Sequence, residues 1–513
     1  MQEIAGRQVR PHLAWNLARL TRWQGALIVT LLASLTFLID IGEPAAPFWD
    51  ENYYLTAIQR YEDGIAQFAS HPPLGLMLMT AGDVLLHPNR HINTHAIGWD
   101  KKIKGEDLPK GFSFTGVRLA SSVFAVLGAI AFFGVMCVLT ESVPAAVVFA
   151  NLFVFENAFA AHFRAAHLDA FQLAFAICTL LCFCIGMRRA ERMRLGGTAA
   201  STAGLDFLLG LTLGLSVMVK ANAIVLGLLG ALLVIDRVTI VWRPGAQLRA
   251  LLGGTRDAAL MTAGFALAVA AVFTIHVGIS PHAPIEDSPA GEKDWGFITP
   301  IYEQYLEHER GLSPRVVLDA AQDYTRFMAD DFRGIPRTDP NGSLPIQWPI
   351  HQRPINYRWD SDGHLTGYMQ LVGNPVGWLL ALLALLATPC LLIAQRVRPL
   401  PAADPVRRKL MGMLLLQYLV FMGVHIYLGL QRVMYLYHYF IGLVLAFCLI
   451  PLVLAEAAER WPVLARRREV LWVGLTVGLL AGYAFYFPLS YHVPITHGYC
   501  SALDAFQYVV KCQ

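Results

Sequence analysis

Long apolar stretches alternate with short polar segments along most of the chain. Each stretch approaches the roughly 20 apolar residues that a helix needs to cross a bilayer. Eleven such windows lie near 25 to 40, 117 to 139, 144 to 161, 169 to 187, 204 to 219, 222 to 236, 258 to 279, 372 to 394, 410 to 430, 433 to 455 and 470 to 489. The pattern predicts an all-α polytopic membrane protein with about eleven transmembrane helices.

Arginine and lysine are concentrated in every second connection between these windows. The rich connections are Arg188 to Arg194, Arg237 to Arg249, Arg396 to Lys409 and Arg460 to Arg468, whereas the short connections between them hold one cation apiece, Arg164, Lys220 and Arg432. Cytoplasmic loops of membrane proteins carry the excess of basic residues. The distribution therefore predicts a cytoplasmic N-terminus over 1–24 and an extracytoplasmic tail over 490–513.

Two predicted outer segments are long, 41–115 and 280–371. Loops of this length usually have a function. Within the first, Leu74 to Leu86 is apolar but too short to span, which favours a helix lying in the membrane interface. The domain plan is an N-terminal transmembrane catalytic region over 25–279, the large extracytoplasmic loop over 280–371, and a C-terminal transmembrane region over 372–489.

Composition agrees with a membrane location. Hydrophobic residues make up 56% of the 513 residues and charged residues only 15%, against about 25% charged in soluble domains. This excludes an ordinary cytosolic enzyme. The net charge of +3, from 40 basic and 37 acidic residues, gives no basic footprint for nucleic acid.

Eight cysteines are too few for a disulfide scaffold. Cys500 and Cys512 are the two that we place clearly outside the membrane, where an oxidising compartment allows pairing. We hypothesise a disulfide between them.

Soluble-enzyme motifs such as GxxxxGK[ST] and HExxH are missing, which disfavours nucleotide-driven chemistry. Two adjacent carboxylates, Asp50 and Glu51, instead follow the first window among aromatic residues. Charge at the membrane surface is costly unless water, a metal or a substrate compensates it. The alternative is a solvated start of a loop.

His71-Pro72-Pro73 follows about twenty residues later. The double proline fixes an extended backbone and leaves His71 at a rigid corner, where an imidazole can bind an anion. The alternative is a turn that only starts the interfacial helix.

A third cluster contains Glu156, Asn157, Arg164 and Asp169, between the third and fourth windows. These charges either contact a substrate or neutralise one another as structural ion pairs.

A fourth cluster contains Arg432, Tyr437 and His438 at the start of the tenth window. Aromatic belts at membrane interfaces produce such strings. His438 lies deeper than a belt residue, and a buried imidazole needs a partner.

These segments, in this order, resemble the protein O-mannosyltransferase family of polyprenyl-phosphate-sugar-dependent glycosyltransferases, in the GT-C superfamily. The matching residues are Asp50-Glu51, His71 to Gly75, Glu156-Asn157 with Arg164 and Leu168-Asp169, Gly373-Asn374-Pro375, and Leu436 to Tyr439. The resemblance implies a GT-C fold with about eleven transmembrane helices and two long outer loops.

The resemblance also implies a reaction. A mannosyl unit on a polyprenyl phosphate moves to serine or threonine hydroxyls of exported proteins, with inversion at the anomeric carbon. Asp50 is implied as the general base, with Glu51 orienting Asp50 or the acceptor.

Cations near the outer surface are expected to bind the donor phosphate. We assign this role to His71, Arg118, Arg164 and Arg432, with Arg118 and His71 first. Arg118 has the alternative of a snorkelling anchor at the end of a span. The implied substrate contacts are Glu156, Asn157, Asp169, Tyr437 and His438.

The sequence departs from the family in two places. Leu76 stands where the family often has lysine, and the loop over 280–371 is shorter than the β-trefoil domain of eukaryotic members. The expectation is a bacterial-type member in the plasma (inner) membrane, with its active site on the outer face. The related aminoarabinose transferases have lysine in place of His71, which favours the protein-modifying branch.

Expected partners are the polyprenyl-linked donor, exported acceptor proteins, the bilayer and the protein-export machinery, without nucleic acid. No cofactor is assigned, and a divalent cation held by Asp50 and Glu51 is left open. The competing hypotheses are a same-fold transferase that uses another sugar or a lipid or polysaccharide acceptor, a secondary transporter, and a non-catalytic receptor.

Overall fold

The computed structural model describes residues 20–99, 102–196, 202–284, 295–399, 404–504 and 512. Most of the predicted cytoplasmic N-terminus (1–19), part of the large loop (285–294) and much of the predicted tail (505–511 and 513) lie outside the described residues.

Helices dominate the described chain. In its first half they are α1 (Arg22–Phe37), α2 (Glu51–Glu62), α3 (Leu74–Leu86), α4 (Thr115–Thr140), α5 (Val143–Val154), α6 (Asn157–Phe163), α7 (Asp169–Arg194), α8 (Ala203–Val217), α9 (Gly227–Val241) and α10 (Gln247–Ile279). In its second half they are α11 (Pro300–Leu306), α12 (Pro314–Gly334), α13 (Pro375–Val397), α14 (Pro405–Gly429), α15 (Phe440–Arg460), α16 (Pro462–Arg466), α17 (Arg468–Ser490) and α18 (His497–Leu503).

A small antiparallel sheet joins the large loop to the C-terminal segment. Its strands are β1 (Ile355–Ser361), β2 (Thr366–Leu371) and β3 (Pro494–Ile495), in the order β1-β2-β3. Ile355 pairs with Leu371, and Thr366 pairs with both Ser361 and Ile495. The described part of the large loop therefore contains α11, α12 and a β-hairpin.

The predicted transmembrane windows all coincide with helices. Eight helical segments among the described residues are long and apolar enough to cross a membrane, and a ninth results if α5 and α6, which meet at a bend of 60°, form one span. The other two windows fall on α1 and α8, which have 16 and 15 residues. The protein is a helical, multi-pass membrane protein, and the count of eleven spans stays a prediction.

The arginine-rich connections meet at one end of the helical bundle. Arg188 pairs with Asp404 at 2.7 Å and with Glu141, just after α4, at 3.5 Å. Arg118, near the start of α4, bonds to Glu51. Arg118 and Glu141 are 23 residues apart, or about 35 Å along a helix. The acidic pair and the arginine-rich connections therefore lie at opposite ends of the bundle.

The two long segments contact each other at the end that carries Asp50. Tyr324 of α12 donates from Oη to the carbonyl oxygen of His71 at 2.9 Å, and Ile65 forms a β-bridge with His282. The predicted short helix over Leu74 to Leu86 is α3. Beyond the last long helix, Cys500 forms the hypothesised disulfide with Cys512.

Candidate active site

Asp50 lies at the N-terminus of α2, directly after a backbone turn. Trp49 has a left-handed φ of 55°, which is uncommon for a residue other than glycine. The half-buried Asp50 carboxylate forms no hydrogen bond or ion pair with the described residues. Burial raises the pKa of Asp50 to about 6, although Lys220 opposes the shift. The Asp50 carboxylate is thus without a hydrogen-bond partner among the described residues, and it is mostly ionised above about pH 6.

Glu51, the next residue, is fully buried and fully committed. Its Oε1 accepts from Arg118 Nε and from the Ala166 N–H, both at 2.8 Å. Its Oε2 accepts from Arg118 Nη2 at 2.8 Å and from the Phe48 N–H at 3.1 Å. Because each oxygen already has two partners, this carboxylate holds the start of α2 and has no contact left for a substrate. The structure thus contradicts a direct catalytic role for Glu51 and gives it a positioning role.

Arg118 cannot bind the donor phosphate in this structure, which contradicts our prediction. Its side chain is 0% exposed. Beyond Glu51, its guanidinium donates to the carbonyl oxygens of Ile41, Gly42, Pro44 and Ala46 at 2.9 to 3.3 Å. The guanidinium also lies over the ring of Phe114, 4.4 Å from its centroid. Arg118 therefore fixes the chain that leads into α2, and thereby the position of Asp50.

His71 is half-buried beside the same site, but it is not a cation. Burial lowers the pKa of His71 to about 3, and the positive charges of Lys220 and Arg432 add to this effect. The imidazole is therefore neutral at physiological pH. It can offer one N–H to a phosphate oxygen, but the expected positive charge at this position is wrong.

Lys220 supplies a buried cation that the sequence did not assign to the site. Its Nζ lies 2.8 and 2.7 Å from the two carboxylate oxygens of Asp169. His162 Nε2 contacts Asp169 Oδ2 at 2.8 Å, and His162 Nδ1 contacts Tyr357 Oη at 2.6 Å. Asp169, a predicted substrate contact, is thus the centre of a hydrogen-bonded chain next to Asp50. In the sequence, Lys220 is a single charged residue between two apolar windows. Placing a charge in a membrane costs free energy, so such residues often have a function.

Aromatic rings form a wall beside Asp50. The ring centroid of Trp49 lies 5.2 Å from Tyr357, 5.3 Å from Tyr435 and 6.4 Å from Tyr437. Tyr437 stacks on His162 at 5.1 Å. The predicted substrate residue Tyr437 therefore lies in this wall. Apolar walls with a few polar groups are typical of ligand sites.

His438 packs against two rings of this wall, with its ring centroid 6.0 Å from Tyr435 and 4.5 Å from Tyr437. Its Nδ1 is 3.1 Å from the backbone nitrogen of Tyr435 and 3.0 Å from its carbonyl oxygen. The ring stacks on the fully buried Trp348 at 6.4 Å. These contacts give the half-buried imidazole the partners that its depth requires, and they tie it to the wall.

Arg432 is the predicted phosphate ligand that keeps donors available. It is half-buried, and its only hydrogen bond with the described residues runs from Nε to the carbonyl oxygen of Val433 at 3.3 Å. Its charge acts on both Asp50 and His71. Both Nη groups can therefore reach a ligand.

Glu156 and Asn157 are structural, which contradicts their predicted substrate role. Glu156 Oε1 accepts from the Asn374 N–H at 2.8 Å and from Trp378 Nε1 at 3.2 Å. Asn157 Nδ2 donates to the carbonyl oxygen of Tyr483 at 3.0 Å. Both residues are 0% exposed and join the bend between α5 and α6 to α13 and α17.

Arg164 is also committed to the fold and does not act as the predicted phosphate ligand. Its guanidinium donates to the carbonyl oxygens of Ile39, Asp40 and Ser490 at 2.8 to 3.3 Å. The group lies over the Tyr491 ring, 4.1 Å from its centroid. Arg164 therefore connects the end of α1 to the end of α17.

Asp50 and Glu51 do not form a metal-binding pair. Both Glu51 oxygens face Arg118, which leaves Asp50 without a second carboxylate. Among the residues that the structure describes, no three His, Cys, Asp or Glu side chains are grouped as a metal site requires. The Asp50–Glu51 pair therefore does not fit a divalent cation, and no step below depends on one.

Two family models match this chain. Residues 27–277 match the model described as dolichyl-phosphate-mannose-protein mannosyltransferase, and residues 324–508 match the C-terminal four TMM region of protein-O-mannosyltransferase. The chain belongs to the protein O-mannosyltransferase family. It is therefore a membrane-embedded glycosyltransferase with dolichyl-phosphate-mannose-protein mannosyltransferase activity, which confirms the resemblance and disfavours a transporter or a receptor.

A solved structure shares the fold of this O-mannosyltransferase. The S. cerevisiae protein O-mannosyltransferase complex bound to the sugar donor matches with a TM-score of 0.73 at 12% identity, over 94% of this chain and 92% of that chain. The Archaeoglobus fulgidus oligosaccharyltransferase AglB gives a TM-score of 0.42 at 12% identity, over 96% and 56% of the two chains. ArnT from Cupriavidus metallidurans gives 0.30 at 15% identity, over 86% and 78%. A comparison with curated protein sequences finds no match.

Proposed function

We propose that this enzyme transfers mannose from a polyprenyl-phosphate-mannose donor to serine or threonine hydroxyls of exported proteins, with inversion at the anomeric carbon. Asp50 is the general base. It takes the hydroxyl proton while the hydroxyl oxygen bonds to the anomeric carbon, and the bond from that carbon to the phosphate oxygen breaks. The products are the mannosylated protein and the polyprenyl phosphate.

The observation that best supports Asp50 as the base is its contrast with Glu51. A base needs a free carboxylate with a pKa near the working pH, and Asp50 has both properties. Glu51 is saturated by Arg118 and two backbone N–H groups. The contrast thus supports Asp50 as the base and Glu51 as a positioning residue. A single carboxylate that acts as a base, with no covalent glycosyl-enzyme intermediate, is consistent with inversion.

The leaving phosphate is stabilised by Arg432, with Lys220 and one neutral N–H of His71 nearby. Arg432 has open donors, and its planar fork suits phosphate oxygens. Lys220 has two contacts to Asp169, which leaves one N–H of its ammonium group for a ligand. This set replaces Arg118 and Arg164 in the role expected from the sequence.

Arg432→Ala is expected to lower kcat by about 10²-fold, because it removes a donor to charge that develops on the leaving phosphate. Steady-state kinetics with purified enzyme and donor measures the effect. Arg337→Ala is the matched control, since Arg337 is exposed in the neighbouring loop. Equal kinetics for the two variants would remove Arg432 from the phosphate site.

The rate should depend on pH through Asp50. Because only the ionised carboxylate accepts a proton, kcat/KM should fall about tenfold per pH unit below a pKa near 6 and level off above it. A pH profile between about 5 and 8 measures this, with stability checked at each pH. A flat profile over the same range would contradict the assignment of the base.

We also place the active site at the outer face of the inner membrane, with the N-terminus in the cytoplasm. The arginine-rich connections lie about 35 Å from the acidic pair, and basic connections favour the cytoplasmic side. An acceptor delivered by the protein-export machinery reaches that face. The short loop over 280–371 supports a bacterial-type enzyme with a polyprenyl donor.

An acceptor panel tests the proposed function. Purified enzyme in liposomes receives labelled polyprenyl-phosphate-mannose with a serine- and threonine-rich peptide, the same peptide with alanine at those positions, or a lipid acceptor. We expect label on the first peptide alone. Label on the lipid, with neither peptide modified, would contradict protein modification.

A further inference from the structure

A cavity of about 480 Å³ lies between α13 and α14 at the end of the bundle away from Asp50. Its volume falls within the roughly 300–1,000 Å³ of small-molecule sites. Arg396, which lines it, lies 21 residues after the start of α13, or about 32 Å along the helix. The cavity is therefore remote from the mannosyl-transfer site and plays no part in the mechanism above.

The polar groups of this cavity are hydrogen-bond donors. Gln395 is 7% exposed, and its Oε1 accepts from Arg460 Nη2 at 2.6 Å. That contact orients the amide, and its Nε2 has no hydrogen-bond partner among the described residues. A buried amide without a partner is costly. Arg396 and Arg408 line the same cavity, so its positive charge favours an anion.

The rest of the cavity lining is largely apolar, and the helix beside it exposes apolar side chains. Leu392 and Ile393 line it, and Ile393 and Val397 on the same helix are 63% and 73% exposed. Exposed apolar side chains on a membrane helix face lipid tails. A ligand that fits both the basic and the apolar lining has an anionic head and apolar chains.

We propose that this cavity binds an anionic glycerophospholipid. Its phosphate accepts from Gln395 Nε2 and from the guanidinium group of Arg396, and its acyl chains lie along Leu392 and Ile393. Arg408 adds a positive charge to the lining. Guanidinium groups bind phosphate strongly, and basic pockets between transmembrane helices bind anionic lipid headgroups. The lipid joins α13 to α14 on the arginine-rich side.

Native mass spectrometry of the full-length protein in mild detergent tests the proposal. Phosphatidylglycerol and phosphatidylcholine with identical acyl chains are added separately. We expect phosphatidylglycerol to be retained about tenfold more strongly. Equal retention of the two lipids would overturn the proposal.

Two variants locate the site. Gln395→Glu keeps the oxygen that accepts from Arg460 and replaces the free N–H donor with a charge that repels phosphate. This variant and Arg396→Ala should each lower phosphatidylglycerol retention about tenfold. Arg398→Ala and Arg466→Ala remove the same charge outside the cavity lining and should leave retention unchanged. Equal losses in all four variants would show nonspecific attraction to basic residues and overturn the assignment.

Thermal unfolding provides the remaining control. Each variant should unfold near the wild-type temperature in lipid-free detergent, and phosphatidylglycerol should raise that temperature for the wild type more than for Gln395→Glu. Inorganic phosphate alone should give no comparable rise. A rise with phosphate equal to that with phosphatidylglycerol would assign the site to a free anion and overturn the lipid proposal.

Discussion

Asp50→Asn is expected to slow mannosyl transfer by about 10²- to 10⁴-fold, the usual contribution of a positioned general base. Asparagine keeps the size of the side chain but cannot accept the hydroxyl proton. Because the Asp50 carboxylate makes no hydrogen bond or ion pair with the described residues, the exchange should leave the fold intact. Single-turnover rates and donor affinity, measured separately, should show a loss in the chemical step with binding retained.

Asp107→Asn is the matched control for this experiment. Asp107 is exposed in the same long segment between α1 and α4, so the same chemical change there should leave the rate unaltered. Near-normal turnover by Asp50→Asn would exclude Asp50 as the base. A loss of donor binding alone would assign it to recognition instead.

Arg118→Ala should destabilise the protein by about 3–5 kcal/mol, because it leaves the Glu51 carboxylate buried without its charged partner. It also removes the donors to four backbone carbonyls before α2. Glu51→Gln should be destabilising for the same reason. Thermal or denaturant unfolding in detergent, without donor, measures the change.

This experiment separates the positioning role of Arg118 from the phosphate role expected from the sequence. A phosphate ligand would affect donor binding and leave the donor-free stability unchanged. Arg192→Ala, at an exposed arginine on α7, should have little effect. Wild-type stability for Arg118→Ala would contradict the buried pair as a structural anchor.

The helices could be predicted from the sequence because their apolar stretches are long. The window at 117 to 139 became α4, and the short apolar stretch from Leu74 to Leu86 became α3. The bend at Glu156 was not visible in composition, because it depends on a contact to Asn374 more than 200 residues later.

The sequence predicts several residues of the candidate site but does not predict which role each of them has. Asp50 and Glu51 are adjacent, and only the position of Arg118 distinguishes the free carboxylate from the committed one. Arg118 and Arg432 likewise look alike in sequence. Their roles separate because backbone carbonyls saturate the first and leave donors free on the second.

The pairing of Lys220 with Asp169 could not be derived from local pattern. Lys220 interrupts the apolar residues between two windows, and it is the one cation in that short connection. It reaches Asp169 only because α7 and the connection after α8 pack together. The sequence therefore shows that Lys220 is a costly charge but does not show that Asp169 is its partner.

The most direct test of the account is the anomeric configuration of the product. Purified enzyme in liposomes transfers labelled mannose from polyprenyl-phosphate-mannose to a serine- and threonine-rich peptide, and NMR or linkage-specific mannosidases assign the new bond. We expect a mannosyl–serine or mannosyl–threonine linkage with the configuration opposite to that of the donor. A product that retains the donor configuration would require a covalent intermediate and contradict the role of Asp50 as the base.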